Sequence, residues 1–193
     1  MIYKEEYPGQ NYTYTSGYLN LIFRARMLWR DMATWLTIYM FSVFGGYGNQ
    51  KEISDKLYQV PLEYGNVMRL IFGDKLSEDY ITLLSNYIII LEYLFHAQLA
   101  GDTAAADEYT KQLYDNIDKR AAFLAQINPY WQEGIWKTLL YTFNKMIIED
   151  ATTLLSKDYQ KNIDVFDSLL TQSSIIGDYF SEGILNYLYT KPA

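Results

Sequence analysis

From Ser16 to Phe44 apolar side chains recur at steps of three and four, as Leu21, Ala25, Leu28, Met32, Trp35 and Tyr39, and the same spacing returns in segment after segment along the chain. A period near 3.6 draws one apolar stripe down an α-helix, whereas a half-buried strand needs alternation by two. Such a stripe has to be covered, and helices cover one another, so the pattern specifies an all-α fold. In this first segment Arg26, Arg30 and Thr37 fall on the outward side.

Breaks between the periodic segments are chemically explicit. Gly45, Gly46 and Gly48 end the first helix, and Asn49 is placed to cap a short helix to about Gln59. Pro61 suits the first turn of another that ends near Gly73. Asp74 caps a long helix over roughly 75 to 100, closed by Gly101. Asp102 caps the next, over 103 to 127, which is rich in charge and amphipathic. Asn128-Pro129 interrupts the chain, a further long helix runs from about Gln132 to Ser156, and Asp158 opens a last one reaching Tyr189. Short connections favour antiparallel neighbours. The expected architecture is an up-and-down bundle of four to five long antiparallel helices with short connecting helices, one domain over 1–193, its residues 1–16 a tyrosine-rich leader packed on the bundle or extending from it.

The uncharged run from Met32 to Gln50 raises the question of a membrane. Its apolar part stops at Phe44, roughly 20 Å of helix against about 30 Å of hydrocarbon, so no membrane span is expected there. The first seven residues hold Glu5, Glu6 and one lysine without an apolar core to follow, which is not a secretory pattern. A cytoplasmic location is the resulting expectation. With no cysteine, thiolate metal sites and thiol nucleophiles are excluded, and a net charge of −7 opposes nucleic acid as a partner.

Catalytic signatures are sparse. The lone histidine, His96, follows Glu92 by one helical turn, on a mostly polar stripe opposite Tyr80, Leu84, Tyr87, Leu91 and Leu94. A solvated Glu92–His96 pair is expected, not a metal site. Asp150 lies seven residues after Phe143 and so shares its inward face. A buried carboxylate needs hydrogen bonds or a counter-charge, here expected from a tyrosine hydroxyl or a lysine.

Leu28-Trp29 with Trp35, Phe72-Gly73-Asp74, Leu83-Leu84, Ala100-Gly101-Asp102, Ile127-Asn128-Pro129-Tyr130-Trp131, Asp178-Tyr179 and Glu182-Gly183-Ile184 together resemble a bacterial family of all-α bundles of unknown function. Some of its members carry the names acetylglutamate kinase or glycosyltransferase as mislabels. The resemblance extends over roughly residues 20 to 185. It implies a histidine on each of three long helices, at the positions that here are Met32, Tyr87 and Phe143. A threonine and an arginine after the tryptophan are likewise replaced, by Leu36 and Thr37. A thioether, a phenol and a benzyl ring cannot stand in for three imidazoles around a divalent ion. The resemblance therefore implies a degenerate metal site, with no metal and no other cofactor, filled by groups that each contribute roughly 1.5–3 kcal/mol by burial.

Ser173 and Gly177 share a stripe with Leu170, Phe180 and Ile184 on the last helix. They either make room for bulky neighbours or leave a pocket. In the second case Met32, Trp35, Tyr87, Phe143, Asp150, Ser173 and Gly177 would line a central site for a small-molecule ligand. Twenty tyrosines, five of them at positions 3, 7, 12, 14 and 18, supply contact surface with a polar tip, suited to a protein partner or a homo-oligomer. The functional expectation is a non-enzymatic bundle acting through surface interaction or self-association, the alternative a small-molecule-binding or metal-binding ferritin-like bundle.

Overall fold

The structure, a computed structural model, describes residues 16–190. Seven helices follow one another: α1 Ser16–Gly45, α2 Gln50–Leu57, α3 Gln59–Phe72, α4 Asp74–Ala100, α5 Thr103–Ile127, α6 Glu133–Leu155 and α7 Tyr159–Thr190. Residues 1–15 of the leader lie outside these residues, and its last, Ser16, begins α1. Successive long helices pack side by side, α4 on α5, α5 on α6 and α6 on α7, and α7 returns to lie along α1. The short pair α2 and α3 crosses from α1 to α4. One continuous core draws from all seven, with Met32, Leu57, Met68, Leu91, Ile117, Ile147 and Phe180 fully buried.

Local chemistry sets the turns. Gly101 adopts the left-handed conformation at φ 70°, and its N–H and that of Asp102 close the last turn of α4; the Asp102 carboxylate then accepts the Ala105 N–H at 3.0 Å to start α5. Asp74 does not cap α4. That place belongs to Gly73, at φ 84°, and Asp74 pairs instead with Arg69 at 2.9 Å. Asn49 does stand at the N-cap of α2, but its side chain makes no capping bond: its oxygen is taken by the Ser42 hydroxyl at 2.6 Å, and α2 stops at Leu57.

The Asn128-Pro129 break seats the α5–α6 turn on α7. Asn128 is fully buried, donating to the Gly183 carbonyl at 2.9 Å and accepting from the Tyr130 N–H at 3.0 Å. Trp131 lies against Gly183, where a Cβ would overlap its indole, and stacks on Phe180 at 5.2 Å.

α7 approaches the backbone of α1 closely. A Cβ on Gly177 would sit 2.6 Å from the Arg26 nitrogen and 2.7 Å from its Cα. Beside it Arg26 clasps Asp178 through Nε at 2.5 Å and Nη2 at 2.8 Å. Among the described residues α4 alone is long and apolar enough to cross a membrane. Its apolar side, from Tyr80 through Leu84, Tyr87 and Leu91 to Leu94, is the side packed in the core.

Candidate functional site

The chemistry of the interior collects around Arg120. On α5 the buried stripe reads Leu113, Asn116, Ile117, Arg120, Ala121 and Leu124, so helical spacing delivers the guanidinium into the core, where it is 2% exposed. Its carbon lies 4.1 Å from the centre of the Tyr87 ring of α4. No acidic side chain pairs with it among the described residues, and neither Nε nor Nη1 meets a protein acceptor. A guanidinium, unlike a buried lysine, stays charged and cannot escape by releasing its proton.

Phenols crowd the same place. Tyr64 on α3 and Tyr80 on α4 are fully buried, their rings 6.1 Å apart, and neither hydroxyl proton finds a protein acceptor. Tyr64 also meets Trp29 of α1 edge-on at 5.5 Å, and Trp29 meets Phe143 of α6 at 5.6 Å. Tyr87 donates to the Asn144 oxygen at 3.2 Å, leaving the Asn144 amide N–H groups and the Trp29 indole N–H unpaired. Burial pushes the phenols of Tyr64, Tyr80 and Tyr87 up from their ordinary value, while the positive charge of Arg120 pulls each partly back, helped at Tyr80 and Tyr87 by donation from the guanidinium to the phenol oxygen. All three remain neutral hydroxyls able to donate. The cluster thus holds Arg120 Nε and Nη1, the Tyr64 and Tyr80 hydroxyls, Trp29 Nε1 and Asn144 Nδ2: donors from five helices without a protein acceptor. One unpaired acceptor, the neutral Asn116 oxygen, lies a turn before Arg120 on α5.

The positions picked from sequence divide between this centre and elsewhere. Met32, Tyr87 and Phe143 are buried in the same core, Tyr87 under Arg120 and Phe143 against Trp29. Trp35 is only partly buried, with the Lys56 ammonium of α2 5.9 Å from its ring. Ser173 spends its hydroxyl on the Leu169 carbonyl at 2.7 Å, and Gly177 faces the α1 backbone, making room for a main chain and not for a ligand or for bulky side chains.

Asp150 is fully buried, but its partners are neither tyrosine nor lysine. Thr37 donates to Oδ2 at 2.7 Å and Asn162 to Oδ1 at 2.6 Å. Thr37, expected to face outward, is therefore an inward residue, because α1 is covered by α6 and α7 at that level. Burial raises the Asp150 carboxyl to about 6, with both hydrogen bonds opposing the rise. The Glu92–His96 pair does not form. Glu92 accepts from Ser54 and, at 3.0 Å, from Tyr58, tying α2 to α4, while the His96 ring meets the Tyr39 hydroxyl at 3.3 Å. Burial first and Glu92 second raise Tyr39 to about 12. Among the described residues no three of His, Cys, Asp and Glu gather closely enough to hold a metal ion.

Arg120 carried a sequence signal, since it stands seven residues after Leu113 and four before Leu124 on the apolar stripe of α5. A charge at a core position of an otherwise charged helix is easily assigned to the outer face. The chain matches no family model, and no similarity to a curated protein or to a solved structure is detectable. The family resemblance accordingly rests on the motifs quoted for it.

Proposed function

We propose that the bundle is a small-molecule-binding protein whose ligand sits in its interior beside Arg120. The observation that carries this reading is the 2%-exposed guanidinium that no carboxylate pairs, whose Nε and Nη1 belong to a set of donors that no protein acceptor satisfies. An unpaired buried charge costs several kcal/mol and each unpaired hydroxyl or N–H about 1–3 kcal/mol, whereas a cation–π contact returns about 2 kcal/mol. The Tyr87 ring alone does not offset that sum. A ligand presenting acceptors does. Nothing in the cluster supplies a nucleophile with a base, and the role that fits it is binding without catalysis.

The test compares the mass of freshly purified full-length protein under native and denaturing conditions, followed by extraction of whatever dissociates. A discrete small-molecule increment supports the reading. An unliganded native mass, together with a melting temperature that no member of a varied small-molecule panel raises, refutes it.

A second reading, self-association, is favoured by a groove of about 540 Å³ between α1 and α3. It is bordered by Met27 and Leu70, which are 60% and 84% exposed. Light scattering at high protein concentration decides it, because a strict monomer excludes a second copy as the occupant.

A further inference from the structure

Resting on the interior-site reading, we infer that the ligand is a small monocarboxylate with an apolar, preferably aromatic, body. Three features of the cluster converge on that class. The charge to be balanced is a single one, Arg120, and among the described residues no lysine, histidine or second arginine stands beside it in the buried core. A monoanion neutralises it. A dianionic phosphate would bring one uncompensated negative charge into the same low-dielectric centre, which is as costly as the problem it removes.

The donors also suit a planar oxyanion. Arg120 Nε and Nη1 belong to different edges of the guanidinium and Tyr87 covers one face, so a carboxylate lying in the guanidinium plane engages one of these two donors and leaves the other edge to a second acceptor. The Tyr64 and Tyr80 hydroxyls add neutral O–H donors able to take the remaining lone pairs of a carboxylate oxygen.

The donor side chains are themselves packed against rings. Phe143 and Trp29 meet edge-on, Tyr64 meets Phe180 at 5.9 Å, and Tyr80 stacks with Phe123 at 6.0 Å. Such surroundings favour an aromatic or branched aliphatic remainder over a sugar or a polyol, for whose several hydroxyls the centre offers one unpaired acceptor, the Asn116 oxygen.

Thermal shift and isothermal titration on the full chain, unfolded and refolded to remove co-purified material, use five probes: benzoate, acetate, inorganic phosphate, chloride and benzyl alcohol. Saturable stabilisation by benzoate, weaker with acetate and absent with phosphate, chloride and benzyl alcohol, is the expected result. Arg120→Met fills the same space without charge and is expected to weaken benzoate about a hundredfold or more. Tyr80→Phe, which removes only one hydroxyl and keeps the ring, is expected to weaken it several-fold and serves if the arginine variant does not fold. Stabilisation by benzyl alcohol but not by benzoate overturns the carboxylate class while leaving an interior site standing. Phosphate or chloride matching benzoate overturns it in favour of an inorganic anion. Benzoate affinity unchanged in Arg120→Met or in Tyr80→Phe places any binding elsewhere and overturns the assignment. Silence from all five probes overturns this ligand class; only when the native mass also shows no ligand and a wider panel is silent does the interior-site reading fall with it.

Discussion

Replacing Asp150 by asparagine should make the protein's stability less dependent on pH. The carboxyl is fully buried, and burial lifts it from 3.8 to about 6 in the folded state. The native protein therefore holds that proton more tightly than the unfolded chain. Its contribution is fully present below pH 3.8 and is lost as pH rises through 6. From these two values the full effect is about 3 kcal/mol, of which about 1.4 kcal/mol is gained between pH 8 and pH 5. In the variant the amide oxygen accepts from Asn162 as Oδ1 does now, and the new NH₂ donates to a Thr37 hydroxyl that has turned round. The geometry survives and the titration disappears. Urea unfolding followed by tryptophan fluorescence at pH 5 and pH 8 gives the stability of both proteins. Wild type is expected to gain about 1.4 kcal/mol on the variant when the pH drops from 8 to 5. A difference that stays flat, or that moves in the variant's favour at pH 5, would show that Asp150 is not a desolvated carboxylate held by two hydroxyl and amide donors.

Two glycines in helices test the close approach of α1 and α7. Gly177→Ala thrusts a methyl group into the Arg26 backbone and is expected to cost about 1–3 kcal/mol, whereas Gly134→Ala, with nothing within 4 Å, should be neutral or stabilise by up to about 1 kcal/mol; melting temperatures separate the two. Asn128→Ala leaves the Gly183 carbonyl and the Tyr130 N–H without their side-chain partner and should lower stability by about 2–3 kcal/mol in chemical denaturation. Arg26→Met breaks the clasp on Asp178, but the two side chains are 43% and 46% exposed, so the loss should stay under about 1 kcal/mol and shrink further in high salt.

Much of the scaffold can be read from individual residues. Gly101 and Asp102 mark a helix end and the next start because a left-handed residue and a carboxylate N-cap are local solutions, complete within one turn of chain. Asn49 and Asp74 look the same in sequence, but the side chain of neither caps its helix. Ser42 claims the first and Arg69 the second, each from the last turn of the preceding helix, and whether it reaches depends on the path of the glycine turn between the two helices. Thr37 misled for a related reason. Its outward position is right for a helix covered on one side, and α1 is covered on more than one.

By itself, then, the sequence determined that this chain forms long helices, roughly where each begins and ends, and that Met32, Tyr87 and Phe143 are inward, since a 3.6-residue period and the capping preferences act within single segments. Only the tertiary structure decided which polar groups find partners. Asp150 obtains Thr37 and Asn162 from α1 and α7, whereas Arg120 reaches the Tyr87 ring and no carboxylate. Pairing across helices depends on rotation and register between elements far apart in the chain, and so the buried charge became visible as unpaired only once the bundle was assembled.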